Sequence, residues 1–97
     1  YRVQTTSSSR DALDRFIKNS CAYDLIVTDY TMPEMNGIEL SREIQKYDNV
    51  PVILISGLGE LIPDEELKST GIVARYSKPI EFATLIRGVR DVLDKIL

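Results

Sequence analysis

The sequence predicts an α/β fold, a parallel sheet with helices on both faces, and three observations carry that reading. Short branched-aliphatic runs alternate along the chain with stretches whose apolar residues recur every three to four positions, giving the order βαβαβαβα. The central runs, Leu25-Ile26-Val27 and Pro51-Val52-Ile53-Leu54-Ile55, are apolar throughout instead of alternating, as strands covered on both faces are. Turn chemistry separates the segments: Met32-Pro33-Glu34-Met35-Asn36-Gly37, Asp48-Asn49 and Ser56-Gly57.

Taken in order, Val3 to Thr6 reads as a short strand. A helix follows, with Ser8 or Ser9 as N-cap, Asp11 in the first turn, and Ala12, Leu13, Phe16 and Ile17 on one face. Asn19-Ser20 closes it. The central strand runs from about Asp24 to Thr28. After Gly37, the residues Ile38, Leu40, Ser41, Ile44 and Tyr47 mark a second helix to about Tyr47, with Glu39, Arg42, Glu43 and Lys46 outward. The Pro51–Ile55 strand comes next. Pro63-Asp64-Glu65-Glu66 reads as the start of a short helix, which Gly71 stops. Ile72 to Tyr76 is a strand, and from Glu81 the series Phe82, Leu85, Ile86, Val89, Val92, Leu93, Ile96 predicts a helix to the end.

Composition narrows the function classes. At 97 residues, the chain reads as a single domain, 1–97; 43% hydrophobic and 28% charged residues describe an ordinary globular chain. A net charge of -3 argues against a nucleic-acid surface, which shows a basic excess. The single cysteine, Cys21, has no internal disulfide partner, and as a nucleophile it has no histidine to activate it, because the sequence contains none. No apolar stretch approaches the roughly 18–20 residues of a membrane span, and the opening Tyr1-Arg2-Val3-Gln4 is not a signal peptide. A cytoplasmic location is expected.

The chemistry-bearing stretch is Tyr23-Asp24-Leu25-Ile26-Val27-Thr28-Asp29-Tyr30-Thr31-Met32-Pro33. It delivers one carboxylate, Asp29, to the carboxyl end of a buried strand, the edge where open α/β sheets bind ligands. A lone Asp there reads as a turn residue. Ser56 at a strand end and Lys78 before Pro79 have equally plain readings, a turn residue and a solvated loop residue.

The run Asp29-x-x-Met32-Pro33-x-Met35-x-Gly37 resembles the phosphoacceptor segment of response-regulator receiver domains. That family places an acid, a hydroxyl and a lysine at the ends of three successive strands, and this sequence has Asp29, Ser56 and Lys78 there in that order. Pro51–Gly57 is similar to the family's fourth strand, and Lys78-Pro79-Ile80 to its Lys-Pro element, where the peptide bond is typically cis. The stretch from Gly59 to Ile72 resembles receivers attached to hybrid sensor kinases.

The resemblance implies a flavodoxin-like sheet and a two-component phosphorelay, with Asp29 as phosphoacceptor and Ser56 and Lys78 as partners of the phosphoryl oxygens. It further implies that the backbone N–H groups of Tyr30 and Gly57 donate to the phosphoryl group, and that Asp29 and the Thr31 carbonyl contact Mg²⁺. The implied partner is a histidine kinase or histidine phosphotransfer protein, with neither nucleic acid nor membrane bound by this domain. A carboxylate can carry a phosphoryl group as an acyl phosphate, while fixed donors and cations meet the developing charge. Leu58 and Thr31 should flank the approach of a hydrolytic water; an apolar Leu58 cannot orient it, so a long-lived phosphoaspartate is expected.

Two departures stand out. Arg75 lies three residues before Lys78, where the family usually has a Tyr or Phe, and Tyr76 is one position late, so its ring should point to the opposite face. The family also begins with a strand, an acidic pair and a helix that this sequence does not show, so it reads as a receiver incomplete at the N-terminus. In the strand order 2-1-3-4-5 the first strand lies between the second and third. Three arrangements are then open: direct pairing of Val3–Thr6 with Leu25–Val27, a strand borrowed from another chain, or poor order near Tyr1. An exposed strand edge favours self-association or instability. With one carboxylate, Mg²⁺ binding should be weak and phosphorylation slow. The rival reading is a pseudo-receiver, an interaction module that is not phosphorylated. A hydrolase forming an aspartyl phosphate usually carries a second acid two residues after the nucleophile, where this sequence has Thr31.

Overall fold

Four parallel strands stand side by side in sequence order in the computed structural model, which describes residues 3–6, 9–18, 23–32, 34–57, 62–68 and 70–95. The elements are β1 (Val3–Thr6), α1 (Ser9–Lys18), β2 (Leu25–Asp29), α2 (Gly37–Gln45), β3 (Val52–Ser56), a 3₁₀ turn (Asp64–Leu67), β4 (Ile72–Ser77) and α3 (Phe82–Lys95). Of the three arrangements left open for the first strand, direct pairing is the one adopted: Val3 aligns with Leu25 and Thr6 with Thr28.

Period-2 geometry sorts the strand residues onto two faces. Leu25, Val27, Ile53 and Ile55 lie under α3 with Leu93, flanked by Leu85, Val89 and Val92. On the other face Ile26 and Val52 pack with Phe16 of α1 and Leu40 and Ile44 of α2, while Leu54 meets Ile38 and Ile62. The two central strands are therefore buried from both sides, the physical reason for their unbroken apolar sequence.

Four details differ from the sequence reading. β2 includes Asp29 as its last residue, so the acid ends the strand instead of following it. The second helix stops at Gln45, two residues early, and the Gln45 side-chain amide donates to the Val50 carbonyl at 2.8 Å to shape the turn. The expected helix after Pro63 is a single 3₁₀ turn, closed when the Thr70 hydroxyl takes the Leu67 carbonyl; Thr70 in turn accepts from the buried Ser41 hydroxyl through its own carbonyl. A bulge sets Ile72 opposite Val52 but Ala74 opposite Ile53, leaving Val73 extra and exposed. The bulge resets the alternation, so Ala74 and Tyr76 face α3 and Arg75 faces the α2 side. Ser8, Asn19 and Ser20, assigned to the ends of α1 in sequence, lie outside the described residues, as do Cys21 and Leu58. No helix among the described residues is long and apolar enough to cross a membrane.

Candidate functional site

β2, β3 and β4 end together at one edge of the sheet, and each strand end brings one of the expected groups. Asp29 closes β2 beside Ile55, Ser56 closes β3 opposite Ser77, and Lys78 follows directly on β4. The Lys78 ammonium lies 3.3 Å from the Asp29 carboxylate, across the strand between them. Its backbone is anchored as well, since the Lys78 N–H donates to the Ser56 carbonyl at 2.7 Å. The Lys78–Pro79 peptide bond is cis, as the resemblance implied. Both partners of the ion pair keep contact with water, with side chains 53% and 30% exposed for Lys78 and Asp29. Such a pair contributes about 0–1 kcal/mol to stability, so its arrangement is better explained by chemistry than by folding.

The loop after Asp29 is held from α2. Asn36 caps that helix by accepting the Glu39 N–H at 2.9 Å, and the Glu39 carboxylate accepts the Asn36 N–H at 3.0 Å, a complete capping box. Between them and the strand, Glu34 adopts a positive φ of 77°, uncommon for a residue with a side chain and typical of strained functional loops. Gly37 opens α2 at a point of close approach: a Cβ there would stand 2.6 Å from the Asp29 carbonyl oxygen and 2.6 Å from a Leu54 methyl. Its N–H donates to the Tyr30 carbonyl at 2.8 Å.

Residues 1–90 match the family model of the response regulator receiver domain. The chain belongs to that family. Response regulator ArlR of Staphylococcus aureus is 28% identical to the receiver domain over 93 residues, which are 96% of this chain and 42% of ArlR. The chain thus spans less than half the length of the curated relatives it matches. A response regulator receiver domain protein from Clostridium thermocellum superposes with a TM-score of 0.81 at 27% identity, covering 93% of this chain and 72% of that one. The receiver domain of Francisella response regulator 1452 gives 0.74 at 31% identity, covering 93% and 74%. The flavodoxin-like receiver fold expected from sequence is therefore the fold of this domain.

Of the expected site residues, the receiver domain brings Asp29 and Lys78 into contact and sets Ser56 at the end of the intervening strand, with Gly57 next. Tyr30, whose N–H is expected at the phosphoryl group, continues the sheet ladder. Its N–H donates to the Ile55 carbonyl at 2.7 Å as the last rung of the β2–β3 ladder, so that donor is committed within the fold. Arg75 also has a definite place, its guanidinium donating to the Ile62 carbonyl at 2.7 Å and tying β4 to the segment before the 3₁₀ turn. Tyr76 packs under α3, where its hydroxyl fills the space that a side chain at Gly88 would take. The ring thus points to the face opposite Arg75, as strand alternation predicted.

Receiver domains typically bind Mg²⁺. The two oxygens expected for it here are a carboxylate of Asp29 and the carbonyl of Thr31, which stands exposed two residues on. Mg²⁺ demands near-octahedral oxygen coordination anchored by carboxylates. Among the described residues no group of three or more His, Cys, Asp or Glu side chains stands together, and the Asp29 carboxylate already faces an ammonium. These residues do not by themselves make a metal site. Titrating residues 1–97 with Mg²⁺, followed through the amide resonances of Asp29 to Thr31, is expected to give small shifts without saturation in the low-millimolar range. A tight, saturating response would show that the site is complete as it stands.

Asn36, Gly37 and Thr28 were absent from the sequence-based site. The Asn-x-x-Glu spacing was a readable capping signature. Gly37 stood in the sequence only as a motif position, and nothing there announced its close approach to the Asp29 carbonyl.

Proposed function

We propose that this domain is the phosphoacceptor of a two-component phosphorelay, taking a phosphoryl group from a phosphohistidine onto Asp29. The observation that carries the reading is the Asp29 carboxylate at the end of β2, 3.3 Å from the Lys78 ammonium. In the transfer, a carboxylate oxygen of Asp29 attacks phosphorus, the P–N bond to the donor imidazole breaks, and the imidazole leaves with the electron pair and takes up a proton. Lys78 shifts from the carboxylate to a phosphoryl oxygen and meets the charge there, while the Ser56 hydroxyl and the Gly57 N–H serve the others. The Tyr30 N–H joins them only by giving up its bond to Ile55. The domain is a substrate that assists its own modification, without turnover on a foreign molecule.

Histidine kinases or histidine phosphotransfer proteins are the donors this chemistry calls for, and the cytoplasm is where they would meet it. Residues 1–97 form one receiver domain, whose β1 and β4 edges are open to association with a second copy. The rival reading, an unphosphorylated interaction module, draws on the lack of an acidic cluster around Asp29 among the described residues and on Arg75 in place of an aromatic ring.

Labelling decides between them. The full chain, given Mg²⁺ and a phosphohistidine donor or a small acyl phosphate, is expected to gain one label per molecule that is labile in both acid and base. Borohydride reduction should map it to Asp29 as homoserine. No label under conditions that modify another receiver would establish the interaction module instead.

A further inference from the structure

We infer that Gly37 and Thr28 are positioning residues for Asp29, locking the peptide that leaves the acid so that its carboxylate faces Lys78. The inference rests on the phosphoacceptor reading of Asp29 and names what holds the acceptor. The Asp29–Tyr30 peptide is engaged on both of its polar atoms. The Tyr30 N–H donates to the Ile55 carbonyl at 2.7 Å. The Asp29 carbonyl oxygen accepts the Thr28 hydroxyl at 3.1 Å, and the same hydroxyl points to the Met32 sulfur at 3.5 Å. That hydroxyl is sealed from water, Thr28 being 1% exposed on the face covered by α2. The next carbonyl, of Tyr30, accepts the Gly37 N–H at 2.8 Å.

Gly37 then closes the remaining side. Its Cα stands so near the Asp29 carbonyl that an added methyl would lie 2.6 Å from the oxygen and 3.3 Å from the carbonyl carbon. Neither neighbour can yield cheaply. The oxygen belongs to a backbone held in the ladder, and the Leu54 methyl on the other side, also 2.6 Å away, belongs to a fully buried side chain. With the peptide plane fixed, ψ of Asp29 and φ of Tyr30 are fixed, and with them the direction in which the Asp29 side chain leaves the strand. A side chain at 37 must either push the α2 N-terminus away or turn this peptide. Both displace the carboxylate from Lys78, and misplacing a reacting group by about 1 Å can cost on the order of a hundredfold in rate.

The test compares glycines. Gly37→Ala in the full chain is expected to slow labelling by a small acyl phosphate at least about tenfold per folded molecule. Gly71→Ala is the control: Gly71 sits at φ 80°, crowded by the Gln45 amide and away from the sheet edge, so its substitution destabilises without touching Asp29. It should label within about twofold of the parent per folded molecule. Hydrogen exchange gives a readout that needs no phosphorylation. The Tyr30 amide should lose protection in Gly37→Ala beyond the global loss, and only in step with it in Gly71→Ala. If Gly37→Ala fails to fold, Thr28 decides: Thr28→Ser keeps the hydroxyl and should keep the parent's rate and Tyr30 protection, whereas Thr28→Val should lose both. A parent that takes no label would remove the phosphoacceptor reading, with Tyr30 exchange still deciding the clamp. Equal labelling and equal Tyr30 protection in the two glycine variants, or in the two Thr28 variants, would overturn the positioning role.

Discussion

Asp29→Asn is expected to remove phosphoryl label completely while the domain stays folded. The carboxamide fills the same space as the carboxylate but has no anionic oxygen to attack phosphorus, and it cannot become an acyl phosphate. The structural loss is small because the partner is small in effect: the Asp29–Lys78 pair is solvated on both sides, with side chains 30% and 53% exposed. Exposed pairs of this kind contribute about 0–1 kcal/mol, which for a domain of this size means a melting shift of at most roughly 4–8 °C. Label lost with melting retained would assign the acceptor to Asp29. Undiminished label would place it on another side chain, and label lost together with a collapsed melting transition would attribute the effect to folding. The backbone around Asp29 is also unchanged by the substitution, since its carbonyl and the Tyr30 N–H keep their partners in Thr28 and Ile55.

The parts of this molecule that were readable in sequence are those in which side-chain chemistry alone fixes the outcome. Leu25–Val27 and Val52–Ile55 had to be central strands, because nothing but two-sided burial accommodates so many branched apolar residues in so short a run. The α3 pattern was readable because Leu85, Val89, Val92 and Leu93 share one face, which the structure turns onto the sheet. The β4 bulge was not readable, because Ile72, Val73 and Ala74 are all apolar and fit either register. The segment after Pro63 carried a good helix start, but Thr70 and the positive φ of Gly71 end it after one turn. At the site, the order Asp29, Ser56, Lys78 was legible because the resemblance to receiver domains calls for an acid, a hydroxyl and a lysine at successive strand ends, and those ends can be counted from sequence. The clamp around the Asp29 peptide was not, since apart from the Thr28 hydroxyl its partners are carbonyls and N–H groups that every residue possesses.

Phe16→Ala is expected to have the largest effect on stability of any single truncation among the described side chains of α1, about 3–5 kcal/mol. Phe16 is 1% exposed and packs with Ile26, Leu40, Ile44, Val50 and Val52, and its ring stacks on Tyr23 with centroids 6.5 Å apart. Among the described side chains of α1 it is the one that is fully buried; Leu13 is partly covered and Ile17 is 44% exposed. Among the described side chains of α1, this ring makes the main contact with the sheet and α2, and the hole left by alanine lies between all three. Since a domain of this kind has about 5–15 kcal/mol in total, the variant should melt on the order of 20 °C lower. In denaturant the midpoint should fall with the slope unchanged, because the surface exposed on unfolding is nearly the same. Ile17→Ala, on the solvent side of the same helix, should stay within about 1 kcal/mol of the parent. Phe16 lies in the core between α1, α2 and the sheet and not at the edge where Asp29 and Lys78 meet, so the labelling rate per folded molecule should be unchanged. A loss below about 1 kcal/mol for Phe16→Ala would mean that α1 is not held by this contact, and a changed rate per folded molecule would mean that α1 reaches the phosphorylation edge through the sheet.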